Sequence, residues 1–229
     1  GWLVVEGDES DRTVFGLPAE IAVITNVELD HHTEFRSLAE LEAAFAEWGA
    51  SAGQLVRDAE VFAGELAVPG AHNRANAGTA LAALELAGIP AAEAIPALGT
   101  FTGTGRRFEV SEAGGVTIVD DYGHHPTEVA AAIAAAREAF PGRRVRVLFQ
   151  PHLFSRTRHL ATEFGAALAQ ADDVAVTEIY AAREQPIPGV SGMSVVRAVS
   201  DAGKLAAFVP TVDDGVTYLL SRARTGDVL

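Results

Sequence analysis

The chain has 229 residues, of which 48% are hydrophobic and 21% are charged, as in an ordinary globular protein with one large core or two modest ones. Its formal net charge of −14 argues against a nucleic-acid partner, because no excess of cations is available to replace phosphate counterions. No apolar run reaches the roughly 18 to 20 residues of a membrane span, and the first residues lack the basic start of a signal peptide, so we predict a cytosolic protein without a membrane partner.

The period of the apolar residues predicts the secondary structure in chain order. In the first half, residues 2–5 and 21–25 are predicted to form short buried strands. Three helices are predicted there, at 38–48, 73–87 and 91–98.

In the second half, strands and helices alternate after a glycine-containing loop at 102–105. The predicted order is strand 107–110, strand 116–119, helix 128–140, strand 145–149, helix 157–170, strand 173–177, helix 193–201, strand 206–209 and helix 212–223. This alternation predicts an α/β fold with a mostly parallel sheet covered by helices on both faces. We place a domain boundary near Gly105, which separates residues 1–105 from 106–229.

The densest group of polar side chains follows the strand predicted at 116–119. Two carboxylates, a phenol and two imidazoles stand just before a helix: Asp120, Asp121, Tyr122, His124 and His125. Polar groups at the carboxyl end of a strand in an α/β sheet face the crevice where ligands bind. We interpret this segment as a site, and a capped helix start with surface histidines is the alternative.

A second group follows the strand predicted at 145–149. His152 and Arg156 lie four residues apart where the next helix begins, and the arginine fork suits a carboxylate. Further along, residues 180–192 are turn-rich with few apolar anchors, the composition of a loop over a site.

Two acidic loops in the first half follow predicted strands, one from Glu6 and one that ends near His31. The chain has no cysteine, so disulfides and thiolate metal sites are excluded and a hard cation such as magnesium is favoured. Magnesium takes one or two protein ligands, which fits Glu6 with His31 or with a neighbouring carboxylate. Solvated acidic loops are an equally good interpretation.

The helix predicted from residue 73 opens with His72 and Asn73 after a turn. Asn73 suits an N-cap, which is the simpler interpretation. Its amide also offers a donor and an acceptor together, which would suit the edge of a purine.

Seven segments, taken together and in order, resemble the Mur ligases. They are residues 6–11, 25–31, 72–73 with 76–77, 106–109, 120–128, 149–157 and 183–192. The resemblance runs over nearly the whole chain and is strongest to the members that join L-alanine to UDP-N-acetylmuramate. It implies ATP-dependent amide synthesis in peptidoglycan assembly, in which the muramyl carboxylate becomes an acyl phosphate that the amino group of L-alanine attacks.

The resemblance also implies domains and site residues. Residues 1–105 would be part of a central ATPase domain, and residues 106–229 a Rossmann-like C-terminal domain that binds amino acid and nucleotide. The implied magnesium ligands are Glu6 and His31. The implied ATP contacts are His72, Asn73, Asn76, Arg107, Asp120 and Asp121, with Arg107 at the phosphates and Asp121 at the ribose. His124 and Tyr122 would face the acyl centre, and His152 and Arg156 would hold the alanine.

The chain departs from the family pattern in several respects. It lacks the P-loop, since Lys204 is its only lysine and lies in no such motif. It also lacks the domain that grips the UDP group, the segment 30–69 is short, and we expect the chain to stop before its final strand. We therefore expect a part of a longer ligase that does not turn over ATP alone, and the choice between monomer and homodimer stays open.

Three other functions are alternatives. A ligase that recycles a whole tripeptide onto the same sugar nucleotide is the nearest rival. A non-catalytic module that binds nucleotide or amino acid would suit the missing P-loop. A dinucleotide oxidoreductase is disfavoured, because no Gly-x-Gly-x-x-Gly follows a strand.

Overall fold

The computed structural model describes residues 1–30 and 34–229. It divides into two compact units, the first made of residues 1–67 and 71–102 and the second of residues 68–70 and 103–229. None of the described helices is both long enough and apolar enough to cross a membrane.

The first unit contains a short parallel strand pair with helices. A 3-10 helix at Thr13–Gly16 precedes β1 (Ile21–Val23), α1 (Leu38–Ser51), β2 (Gln54–Val56), α2 (Ala71–Leu86) and α3 (Ala91–Gly99). β1 and β2 pair in parallel, with Ile21 opposite Gln54. Ser37 caps α1 by accepting a hydrogen bond from the Glu40 N–H.

One strand prediction for this unit was wrong, and one strand was not predicted. Residues 2–5 form no strand and are exposed, with Val4 at 91%. A strand requires a partner for its N–H and C=O groups, and no described strand pairs with these residues. Conversely β2 is only three residues long, too short for an alternating pattern to indicate it.

The second unit begins with an antiparallel hairpin of β3 (Glu109–Ala113) and β4 (Val116–Asp120), an exception to the predicted parallel order. Its turn is Gly114-Gly115, and both glycines have positive φ. The elements that follow are α4 (Pro126–Ala139), β5 (Arg146–Phe149), α5 (Phe154–Leu168), β6 (Asp173–Val176), α6 (Gly192–Asp201), β7 (Ala207–Phe208) and α7 (Val212–Arg222). The alternation predicted from the sequence is confirmed, with shifts of a few residues at element ends.

The last residues of the chain pair with the sheet of the second unit. Val228 bridges in parallel to Thr117 of β4 and to Val145 before β5. The Val119 N–H donates to Leu229 O at 2.7 Å, and the Arg146 N–H donates to Val228 O at 2.8 Å. Residues 227–229 therefore lie between β4 and β5, which joins the hairpin to the parallel strands β5, β6 and β7.

Helices cover both faces of this sheet, as predicted. On one face α4, α5 and α6 enclose the main core, which includes Ile133, Phe164, Leu168 and Val195. On the other face Leu219 of α7 packs in a smaller cluster with Ala175 and Val209. Successive β6 residues point to opposite faces, so Val174 and Val176 join the first core and Ala175 joins the second.

Candidate active site

Four aromatic rings form a row at one edge of the second unit's sheet. β4, β5 and β6 run parallel, so their carboxyl ends and the loops after them share this edge. Neighbouring ring centroids are 5.4 Å apart for Tyr122 and His124, 6.4 Å for His124 and His152, and 5.6 Å for His152 and Tyr180. The structure thus joins the two predicted polar segments and adds Tyr180, whose only signal in the sequence was its place at the start of the turn-rich loop.

Two arginines before β3 pack on the same loop. The Arg106 guanidinium lies 4.8 Å from the centre of the Tyr122 ring and 3.4 Å from the Asp120 carboxylate. Arg107 lies 3.7 Å from the Glu128 carboxylate. Both arginine side chains are more than half exposed, so each can still meet an anionic ligand from solvent.

Asp121 stabilises the conformation of the loop that follows β4. One of its carboxylate oxygens accepts the Phe108 N–H at 2.9 Å, and the other accepts the Gly123 N–H at 2.8 Å. These bonds tie the turn before β3 to the loop after β4. Asp120, by contrast, is exposed and contacts Arg106.

Glu128 closes the N-terminus of α4. Its carboxylate accepts the N–H groups of His124 at 2.8 Å and His125 at 3.0 Å, while the His125 side chain accepts the Thr127 N–H. Burial by itself would raise the pKa of the Glu128 carboxyl, but these N–H groups and the charges of His124 and Arg107 together lower it below its ordinary value. The capped-helix alternative is thus correct for His125, and Pro126 occupies the first turn as its type suggests.

His152 and Arg156 lie together where α5 begins. Arg156 Nη1 is 2.9 Å from His152 Nδ1 and 3.3 Å from the His152 carbonyl oxygen, and Arg156 is only 3% exposed. α5 begins at Phe154, three residues before its predicted start, so Arg156 belongs to its first turn. Leu153 between them has φ +70°, a conformation that side-chain-bearing residues rarely adopt and that is common at functional sites.

The turn-rich loop is attached to the same helix start. Glu184 accepts hydrogen bonds from the Ser155 N–H at 2.9 Å and from the Ser155 hydroxyl. The Tyr180 carbonyl accepts the Leu153 N–H at 3.0 Å. These contacts hold the loop beside His152.

The predicted ATP contacts of the first unit lie on one helix. α2 begins at Ala71, so Asn73 lies inside its first turn and the N-cap interpretation was wrong. His72 and Asn76 are four residues apart, and Asn73 and Asn76 three apart, so all three share one side of α2. His72 and Asn73 are half-buried and Asn76 is exposed.

The predicted magnesium ligands are only partly described. Glu6 is exposed and can offer one carboxylate, and His31 lies outside the described residues. Within residues 1–30 and 34–229, no three histidine, aspartate or glutamate side chains are grouped as a metal site. A single carboxylate still fits a magnesium ion that is otherwise bound by water and phosphate oxygens.

The second unit also contains a cleft of about 340 Å³ that is lined by residues of β4, β5 and the chain end. Its walls are mostly aliphatic, from α4, α7 and the sheet, and Asp120 and Asp121 lie at its border. Because the groups suited to carboxylate and proton chemistry lie in the row of rings, we assign the candidate active site to that row.

Comparison with known proteins gives one family. The model of the family described as "Mur ligase, glutamate ligase domain" matches residues 106–229, more than half of the chain. The UDP-N-acetylmuramate–L-alanine ligase of Acidothermus cellulolyticus is 37% identical over 281 residues, 52 more than this chain contains. That match covers 99% of this chain and 59% of the relative. The enzyme of the same name from Arthrobacter is 40% identical, with 98% of this chain and 58% of the relative covered.

Solved structures agree on the fold. The UDP-N-acetylmuramate-alanine ligase of Thermotoga maritima is similar with a TM-score of 0.68 at 24% identity, over 93% of this chain and 56% of that one. A murein peptide ligase of Psychrobacter arcticus has a TM-score of 0.60 at 18% identity, over 99% of this chain and 62% of that one. The chain thus spans about 60% of the length of the curated relatives that it matches.

Proposed function

The chain belongs to the Mur ligase family, and from this premise we propose that it forms part of an ATP-dependent ligase that joins L-alanine to UDP-N-acetylmuramate in peptidoglycan synthesis. The observation that carries the proposal is the row of rings with buried Arg156 at the carboxyl edge of the sheet. Relatives named for this reaction, 37 to 40% identical, support it. We also propose a cytoplasmic location.

In the proposed reaction, ATP phosphorylates the muramyl carboxylate and the resulting acyl phosphate reacts with the amino group of L-alanine. Arg156 would pair with the alanine carboxylate, because a guanidinium presents two parallel N–H donors to a carboxylate. His152 beside it would help to orient the same group. Tyr122 and His124, next in the row, would then face the reacting amine and the acyl carbon.

Nucleotide contacts are proposed for residues of each unit, taken by itself. Arg107 is exposed and cationic, so it suits the ATP phosphates. Asp120 and Asp121 would lie near the ribose, and the α2 side chains His72, Asn73 and Asn76 would contact ATP. Magnesium, held through Glu6 and His31, would supply positive charge to the transferring phosphoryl group.

We propose that residues 1–105 are part of a central ATPase domain and that residues 106–229 form the C-terminal domain. The 229 residues contain no P-loop motif, so the assay requires the full-length polypeptide that carries them. With UDP-N-acetylmuramate, ATP and magnesium present, we expect phosphate release to depend on added L-alanine. Release without dependence on alanine would contradict the proposal.

The assay separates the rival functions. Release that requires a tripeptide instead of alanine would identify the recycling ligase. No release, together with retained binding of ATP or L-alanine, would identify a non-catalytic binding module. The oligomeric state, monomer or homodimer, is measured on the same sample by light scattering.

A further inference from the structure

The two imidazoles in the row of rings have opposite partners at the same ring nitrogen. His124 Nδ1 lies 3.1 Å from the Tyr122 carbonyl oxygen and 3.6 Å from Glu128 Oε2. A carbonyl oxygen accepts hydrogen bonds and cannot donate them, and the same holds for a carboxylate. His124 Nδ1 must therefore carry the proton, which in the neutral ring leaves the lone pair on Nε2.

His152 is in the reverse situation. Its Nδ1 lies 2.9 Å from Arg156 Nη1, and a guanidinium donates hydrogen bonds but accepts none. Arg156 is 3% exposed and also donates to the His152 carbonyl oxygen, so its position relative to the ring is fixed from two sides. His152 Nδ1 must therefore accept, and the proton of the neutral ring is on Nε2.

We propose that the two histidines are held in opposite tautomers and therefore have different tasks: His124 accepts a proton through Nε2, and His152 donates a hydrogen bond from Nε2. The assignment of tasks rests on the proposed function. In amide formation the nitrogen lone pair of alanine forms a bond to the acyl carbon, and the bond from that carbon to the phosphate oxygen breaks with its electron pair on phosphate. The proton that nitrogen loses goes to His124 Nε2, while the His152 Nε2–H donates to the alanine carboxylate.

Glu128 is a positioning residue in this scheme. It accepts the backbone N–H groups of His124 and His125, which fixes the backbone that orients the His124 ring. Its carboxylate beside Nδ1 also stabilises the imidazolium that forms when Nε2 takes up a proton. Glu128→Gln keeps an amide oxygen for the backbone bonds but removes the charge, so it separates the two contributions.

The tautomers can be read directly by nitrogen-15 NMR of the histidine rings in the 229-residue chain, at a pH where the rings are neutral. We expect a protonated Nδ1 for His124 and a protonated Nε2 for His152. In the Arg156→Met variant the methionine side chain cannot donate a hydrogen bond, so His152 should become a mixture of both tautomers. Arg158→Met, an exposed change two residues further along α5, should leave His152 as in the wild type. The same tautomer in both wild-type rings would overturn the proposal, and this measurement needs no variant to fold.

Kinetics of the full-length polypeptide test the division of tasks. His124→Gln should lower kcat roughly 100-fold or more, with little change in the KM for L-alanine, because general-base catalysis typically contributes 10²–10⁴-fold. His152→Ala should mainly raise the KM for L-alanine. Glu128→Gln should lower kcat and move the pH–rate profile while the fold is retained, and Glu128→Asp should restore part of the rate.

The failure of this inference differs from the failure of the proposed function. Opposite tautomers in a polypeptide without alanine-dependent phosphate release would refute the assigned tasks and the ligase function together, while the structural assignment would stand. Alanine-dependent release with identical tautomers would refute this inference alone. Equal effects of the two histidine variants on kcat would also refute it.

Discussion

Replacing Asp227 with asparagine should destabilise the second unit, because this carboxylate belongs to a buried group of charges. Arg146 is 3% exposed and donates to Asp227 at 2.7 Å and to Asp173 at 2.5 Å. Asp227 also accepts the Arg224 N–H at 2.9 Å, and Asp173 accepts from Arg222. These bonds connect the chain end with the starts of β5 and β6.

The expected loss follows from what asparagine retains. A hydrogen bond to a charged group contributes about 1.5–3 kcal/mol, and removal of one partner of a buried ion pair costs about 3–5 kcal/mol. Arg146 keeps its bond to Asp173, and the asparagine oxygen can still accept one N–H. The lower of the two ranges therefore applies. We expect a loss of about 2 kcal/mol in the free energy of unfolding, which is a fall of about 1 M in the urea midpoint.

The assay follows the second unit by its tyrosine ring NMR signals during urea unfolding, because Tyr122, Tyr180 and Tyr218 all lie in that unit. Both tryptophans lie in the first unit, so their emission provides an internal comparison. Asp172→Asn is the matched control, since the Asp172 carboxylate pairs with Arg137 at 3.1 Å and both side chains are about a third or more exposed. For Asp172→Asn we expect a loss of less than about 1 kcal/mol in the free energy of unfolding.

The pH dependence gives a second test of the same reasoning. Burial alone would raise the pKa of Asp227, but the bonds from Arg146 and the Arg224 N–H, with the charge of Arg144, lower it below its ordinary value. The stabilisation is therefore complete above about pH 4 and is lost as the pH falls through the folded-state pKa. The difference between the wild type and Asp227→Asn should shrink in acid. A difference independent of pH, or no larger than that of Asp172→Asn, would refute the reasoning.

Three further outcomes are expected. Gly165→Ala should destabilise the second unit by about 1–3 kcal/mol in urea unfolding, because the added Cβ would lie 2.6 Å from Ala198 Cβ and would also overlap the Ala198 backbone. Ser155→Ala removes the hydroxyl bond to Glu184 and should make amide exchange in residues 181–190 roughly fivefold faster, as expected for a bond worth about 1 kcal/mol. Arg156→Lys in the full-length polypeptide should raise the KM for L-alanine by roughly tenfold or more and leave that for ATP unchanged, since an ammonium cannot replace a two-pronged guanidinium.

The glycine and arginine predictions each have a control variant. The Cβ that Gly16→Ala adds would have no atom of a non-neighbouring residue within 4 Å, so this variant should change the free energy of unfolding little. Arg158 is exposed on the same helix as Arg156, and Arg158→Lys should leave the KM for L-alanine and the KM for ATP unchanged. Unchanged exchange in 181–190 after Ser155→Ala would mean that the Ser155–Glu184 contact does not hold the loop.

Local patterns were sufficient for most of the second unit. Alternating apolar strands and helices predicted β4 to α7 because each element there packs on the sheet, so its apolar period matches its burial. The segments 120–128 and 149–157 were recognised as site segments because they place polar side chains at the carboxyl ends of strands, where ligands bind in an α/β sheet.

The wrong strand prediction at residues 2–5 has a physical cause, namely that backbone pairing depends on a distant partner. The apolar residues 2–5 resemble a strand locally, yet no described strand pairs with them. The pairing of residues 227–229 was not predicted either, and it depends in the same way on β4 and β5, between which their backbone lies. Asn73 looked like a cap until the helix start at Ala71 was known.

The amino-acid sequence by itself determined the family, the α/β alternation and the identity of the candidate residues, because those depend on residue types and short spacings. Only the tertiary structure decided how these residues act on each other. It placed Tyr180 on His152, and it set opposite partners at the Nδ1 atoms of His124 and His152. The sequence shows an imidazole at both positions, whereas the location of its proton depends on which donor or acceptor the fold brings within hydrogen-bonding distance.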